Sequence, residues 1–118
     1  MILKDGGDGI TDKSLKFWNE NKSKLGKISH VEVSAEGWID RDGYEYPVEY
    51  EYNCMIVGKD ATMLLSGCNC GYFGQGPHGT AKILTELGLN KSEAERVIGQ
   101  QTIHYDALRN TLVDSQRY

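Results

Sequence analysis

Apolar positions along this chain recur with two different periods, and the change of period divides it. Between Thr11 and Leu25 they fall at Leu15, Trp18 and Leu25, with the aliphatic stem of Lys22 between them, the three-to-four spacing of one helix face. This predicts a helix from Asp12 to about Lys24, capped by Thr11 or Asp12. Its stripe is thin, so it is expected to pack at an edge. Residues 1–9 contain Gly6-Gly7-Asp8-Gly9, which offers little side chain to bury, and are expected to be mobile.

From Ile28 the period is two. A two-residue turn at Asp42-Gly43 would pair Arg41 with Tyr44, Ile39 with Tyr46, Gly37 with Val48, Ala35 with Tyr50, Val33 with Tyr52 and Val31 with Cys54, all on one apolar or aromatic face. The opposite face would then hold Trp38 beside Pro47, Glu36 facing Glu49, Ser34 facing Glu51 and Glu32 facing Asn53. A second turn at Lys59-Asp60 pairs Val57 with Thr62, Ile56 with Met63, Met55 with Leu64, Cys54 with Leu65 and Tyr52 with Gly67. The apolar face of such a meander needs a cover. Pro77 suits a helix first turn, Ala81, Ile83, Leu84 and Leu87 supply a buried side, and Gly88 supplies a left-handed stop. Asn90 with Glu93 resembles a capping pair for a second helix over about 91–98, closed by Gly99. Ile103, Tyr105, Leu108, Leu112 and Val113 suggest a third, from about His104 to Asp114. The expected fold is α+β: an N-terminal helix, a three-stranded antiparallel β-meander, and two to three C-terminal helices packed on one face.

The 118 residues leave room for a single domain, 1–118. With 39% hydrophobic and 25% charged residues the composition is that of a soluble protein. No apolar run reaches the roughly 20 residues that span a bilayer, and the first residues lack the basic start and apolar stretch of a signal peptide, so a cytoplasmic location is expected. A net charge of −4 argues against general nucleic-acid binding. Three cysteines, an odd number, fit reduced thiols better than a disulfide framework.

Candidate chemistry centres on Cys68–Thr80, a glycine-rich passage from strand to helix. Gly71, Gly74 and Gly76 free backbone N–H groups to turn toward an anion, and the helix start adds the positive end of its dipole. Tyr72 and Phe73 offer rings to a base or ribose, and His78 and Thr80 offer hydrogen bonds. The expected ligand-binding set is therefore Tyr72, Phe73, Gly74, Gly76, His78 and Thr80, with Arg109 as a distant cation. Pro77 removes one N–H, and the spacing matches neither the Walker pattern nor Gly-x-Gly-x-x-Gly. Cys68 and Cys70 share the polar face if strand parity continues, whereas Cys54 faces the core, which opposes a zinc site. Asp5, Gly7, Asp8 and Gly9 lack the spacing of a calcium loop. No metal or cofactor is expected. With no nucleophile beside an orienting base, the reading leans away from an enzyme.

Gly71-Tyr72-Phe73-Gly74-Gln75-Gly76-Pro77 resembles the Gly-Tyr-Gly-Gly-x-Gly-Pro segment of small bacterial and phage proteins, with Phe73 where those carry glycine. The layout of an antiparallel sheet followed by helices in a short acidic chain is also similar to phage anti-Thoeris sponge proteins. That resemblance implies a homo-oligomer that sequesters a cyclic ADP-ribose-type signal without cleaving it, with Arg96 and Arg109 as cations of the required type. Two alternatives belong to other classes. One is a protein-binding inhibitor acting through Trp38, Glu36 and Glu49 on the acidic sheet face; the other is a small hydrolase of nucleotide signals.

Overall fold

The computed structural model describes residues 1–41 and 49–113. Its element order is β1 (Ile2–Lys4), α1 (Thr11–Asn21) with a 3-10 turn at Lys22–Leu25, β2 (Ile28–Arg41), β3 (Glu49–Gly58), β4 (Thr62–Leu65), α2 (Gln75–Glu86), α3 (Lys91–Val97), β5 (Thr102–Asp106) and β6 (Thr111–Leu112). The class is α+β, but the sheet is not a three-stranded meander. It has six strands in the order β1-β4-β3-β2-β5-β6, with β1 parallel to β4 and the other neighbours antiparallel.

Three strands were not anticipated from periodicity. Ile2–Lys4, in the stretch expected to be mobile, runs alongside Thr62–Leu64. The C-terminal helix expected from His104 is instead a hairpin of β5 and β6, because Thr102, Ile103, His104, Tyr105 and Asp106 alternate outward and inward, with Ile103 and Tyr105 buried. Its turn is fixed locally: the Asp106 carboxylate accepts from the N–H groups of Leu108 (3.0 Å) and Arg109 (3.1 Å), and Asn110 takes φ 51°.

The β3–β4 hairpin has the expected register, Cys54 with Leu65 through Val57 with Thr62. The β2–β3 pairing does not. Val33 meets Cys54 and Val31 meets Ile56, two residues away from expectation, while Trp38 meets Tyr52 and Arg41 meets Glu49. Between these points β2 advances five residues, from Val33 to Trp38, while β3 advances two, from Cys54 to Tyr52. This is a bulge, and Gly37 supports it at φ 73°. Glu49 therefore pairs with Arg41 and not with Glu36, and Trp38 pairs with Tyr52, so the register expected for the acidic face is not formed. Asp42-Gly43, Tyr44, Tyr46, Pro47, Val48 and Asp114 lie outside the described residues.

Helices α1, α2 and α3 cover one face, where Trp18, Ile83, Leu84, Ala94 and Val97 join Val31, Val33, Cys54, Ile56, Met63, Leu65, Ile103 and Tyr105 in one core. A two-residue error in register leaves the inward parity of Val31, Val33, Tyr52 and Cys54 unchanged, which is why the core face was legible although the pairing was not. Trp18 Nε1–H donates to Glu86 Oε2 at 2.9 Å and Lys22 reaches the other carboxylate oxygen, tying α1 to α2. Asp5 ties the N-terminus down: its carboxylate accepts from Ser66 N–H (2.8 Å), the Ser66 hydroxyl (2.9 Å) and the Ser14 hydroxyl (2.5 Å). Among the described residues no helix is long and apolar enough to cross a membrane.

Candidate functional site

The glycine passage begins where β4 stops. Beyond Leu65 the backbone leaves the ladder, so strand parity no longer governs Cys68 and Cys70. Both are buried, contrary to the polar-face expectation. Burial pushes the Cys68 thiol up to about 12, with the Asp5 charge adding to it, and burial alone lifts Cys70 to about 11. Cys54 is raised as well, first by burial and then by the neighbouring thiols and Asp5. Such thiols are poor nucleophiles and poor metal ligands. Among the described residues no cluster of three or more His, Cys, Asp or Glu side chains is arranged to hold a metal.

Gly71 sits at φ 99°, and its N–H reaches the Ile98 carbonyl at 2.8 Å, locking the passage to the end of α3. Gly74 caps α2 in extended backbone. Gly76 lies in the first turn, where a Cβ would stand 2.2 Å from Asn69 Oδ1. Thr80 is 1% exposed, and its hydroxyl donates to the Asn69 carbonyl at 2.7 Å, so it serves the fold from inside. His78 is exposed, but its Nδ1 lies 2.6 Å from the Gly74 carbonyl, a contact that closes the helix start. Tyr72 and Phe73 are 50% and 72% exposed. The Tyr72 ring lies over Gly74, and the Phe73 ring lies over Gly99, where a Cβ would be 2.8 Å from its tip. The buried Asn69 Oδ1 has no hydrogen-bond partner.

The larger concavity lies on the far side of Gly99. A groove of about 630 Å³ is lined by Arg96, Gln100, Gln101, Thr102 and His104, among others, and by Gly99 itself. Among the described residues that line it, none is Asp or Glu. Arg96 is half-exposed and pairs with Glu93 at 2.5 Å, a partner one helical turn back that does not line the groove. The Gln101 side chain lies against Gly71, so the glycine passage builds the wall behind the groove and does not enclose a ligand itself. Arg109 lies elsewhere, on the β5–β6 turn, with its guanidinium 2.7 Å from Asp106 Oδ2. It lines a second hollow of about 360 Å³ to which no residue of Cys68–Thr80 contributes.

The expected ligand set is thus divided. Gly74, Gly76, Thr80 and His78 shape the start of α2, Tyr72 and Phe73 form an exposed aromatic tip, and Arg109 belongs to the sheet. Arg96, Gln100, Gln101 and His104 gather around a groove with no local sign in the sequence, because a helix expected across 104–114 hides the edge of β5. The alternation Thr-Ile-His-Tyr-Asp was the available signal. On β2, Trp38 and Ile39 are 40% and 67% exposed, beyond Ala35, where the contact with the β5 side ends. Comparison with protein-family models, with curated proteins and with solved structures finds no match to this chain.

Proposed function

We propose that this protein binds a small phosphate-bearing, nucleotide-derived ligand and holds it without transforming it. The observation that carries this reading is the groove beside β5, which among its described lining residues combines an arginine, two primary amides and an imidazole without a carboxylate. Its volume is within the range of small-molecule sites. Arg96 supplies a planar fork suited to phosphate oxygens, and Gln100 and Gln101 supply amide donors. The glycine passage contributes indirectly: Phe73 packs on Gly99 and Gly71 backs Gln101, so both fix the groove's wall. A phage-type sponge for a cyclic nucleotide immune signal is the concrete form of the proposal.

A thermal-shift series with ADP, ATP and cyclic dinucleotides tests it. At ligand concentrations about a hundredfold above Kd, binding to the folded state alone adds about 2.7 kcal/mol, a shift of about ten degrees for a domain of this size. Arg96→Gln should abolish the shift. Ligand recovered intact after denaturing the protein supports sequestration, whereas a new product by chromatography replaces it with the hydrolase. No stabilisation by any of these compounds overturns the proposal.

A further inference from the structure

The second hollow, lined by His30, Glu32, Asp106, Arg109, Leu108 and others, shares His104 and Val113 with the first, so the two hollows adjoin at these residues and are together called the trough. Side chains on one face of a strand repeat every two residues, about 6.6 Å apart. Thr102, His104 and Asp106 therefore mark three rows spread over about 13 Å. Across the ladder the second row pairs Glu32 with His104, and the third pairs His30 with Asp106.

The chemistry changes from row to row. At the Thr102 end no carboxylate lines the trough among the described residues. In the second row the Glu32 carboxylate stands 3.5 Å from His104 Nδ1, with both side chains about one third exposed. That separation is too long for a strong hydrogen bond, so the carboxylate keeps acceptor capacity. In the third row Asp106 is already saturated by Arg109 and by two backbone N–H groups. Beside it Leu108 and Val113 expose apolar surface, 55% and 43% of their area.

We infer that Glu32, steadied by His104, is a specificity-determining residue that accepts hydrogen bonds from the vicinal hydroxyls of a ribose, so the trough takes ribonucleotides in preference to their 2′-deoxy forms. This rests on the phosphate reading of the first groove. A carboxylate is an acceptor only, and its two oxygens match two adjacent hydroxyl donors. It also repels phosphate, which sets the direction of the ligand. The phosphate lies toward Arg96 and Gln100, the ribose lies at Glu32 one row along, and the base lies over Leu108 and Val113. A row spacing of about 6.6 Å suits the reach from a 5′-phosphate to the ribose hydroxyls. A site built to bond a hydroxyl discriminates against the ligand that lacks it, because its acceptor is left unpaired. Partial exposure lets water satisfy Glu32 in part, which holds the expected preference to about tenfold.

Isothermal titration of the full chain with ADP and with 2′-deoxy-ADP decides the matter, using the wild type, Glu32→Gln and Arg96→Gln. The wild type should bind ADP about tenfold more tightly than 2′-deoxy-ADP. Glu32→Gln should weaken ADP to the level of the deoxy compound and leave 2′-deoxy-ADP within about twofold, while Arg96→Gln should weaken both equally. If the wild type binds the two compounds equally, or if Glu32→Gln keeps the preference, the assignment of Glu32 fails and the phosphate groove stands. Absence of binding by both compounds removes the phosphate groove and this inference together.

Discussion

Cys68 and Cys70, with one residue between them, both end in the core, although strand parity continued from the buried Leu65 would put both on the opposite face. They do so because the chain leaves the ladder after Leu65 and passes beneath α2, where Cys68 Sγ approaches Gly79 and Cys70 reaches the Gln101 carbonyl at 3.4 Å. A sequence read by parity follows a strand only while the strand lasts, and nothing in Ser66-Gly67 marks its end beyond one glycine. Asp5 shows the same limit: its main partner Ser66 is 61 residues away, so a stretch with little to bury becomes a hub through contacts that no local pattern displays. The thiols give a test at this scale. With Cys70 at about 11 and Cys68 at about 12, their thiolate fraction at pH 8 is far below that of an unperturbed cysteine, so iodoacetamide should modify the native protein about a hundredfold more slowly than the denatured chain. The linkage has a definite sign. The folded state keeps these protons after the unfolded chain has lost them, so stability is unaffected below the ordinary thiol range and falls as pH rises from about 9 toward 11 and 12. Denaturant midpoints that are constant from pH 7 to 8 and decline from pH 9 to 10 are the expected result.

Among the elements, legibility follows how local the determinants are. The β3–β4 hairpin has its register set by a two-residue turn, and Gly58 N–H closes it on the Ala61 carbonyl at 2.9 Å. Helix α2 is marked by Pro77 in its first turn and by Gly88, which takes φ 122° just past Leu87. Asn90 caps α3, although its side chain accepts from Ser92 N–H and the expected partner was Glu93. By contrast, the β2 bulge and the parallel β1–β4 pairing depend on distant neighbours, and β5 carried enough leucine nearby to mimic a helix. Glycines placed against fixed backbone differ from those placed against movable side chains, and two of them make a comparison. A Cβ at Gly58 would lie 2.2 Å from the Leu25 carbonyl oxygen, which is itself held by Asp60 N–H at 2.9 Å. Gly58→Ala is therefore expected to cost about 2–3 kcal/mol, since neither chain can yield without breaking the junction between the 3-10 turn and the hairpin. Gly99→Ala meets only the free end of the exposed Phe73 ring and should cost less than about 1 kcal/mol. Urea midpoints of the two variants measure the difference, and equal losses would show that the Phe73 ring is as firmly held as the Leu25 backbone.

At the scale of the whole molecule, α1, α2 and α3 stabilise one face of the sheet, and among the described residues no helix covers the other along β2 and β5. The glycine passage, conspicuous in sequence, lies at the seam between these layers. Gly71 fastens it to α3, Thr80 fastens it to Asn69, and its outer rings rest on Gly74 and Gly99. Its conspicuousness thus has a structural source in close approach, while the concavity with binding chemistry lies one segment later. These two locations predict different patterns of protection when a ligand binds. Occupancy of the trough would cross-link the end of α3, the strand β5 and the turn before β6, and of these the turn, closed only by the two-residue pairing of β6, exchanges most readily in the free protein. Hydrogen exchange with ADP present should slow amides over about 96–113 and leave those of α1 and the first turn of α2 unchanged. Protection concentrated instead over 71–80 would return the ligand to the helix start, where the free N–H groups of Gln75 and Gly76 would have to hold it without help from Pro77, and with Thr80 already committed to Asn69.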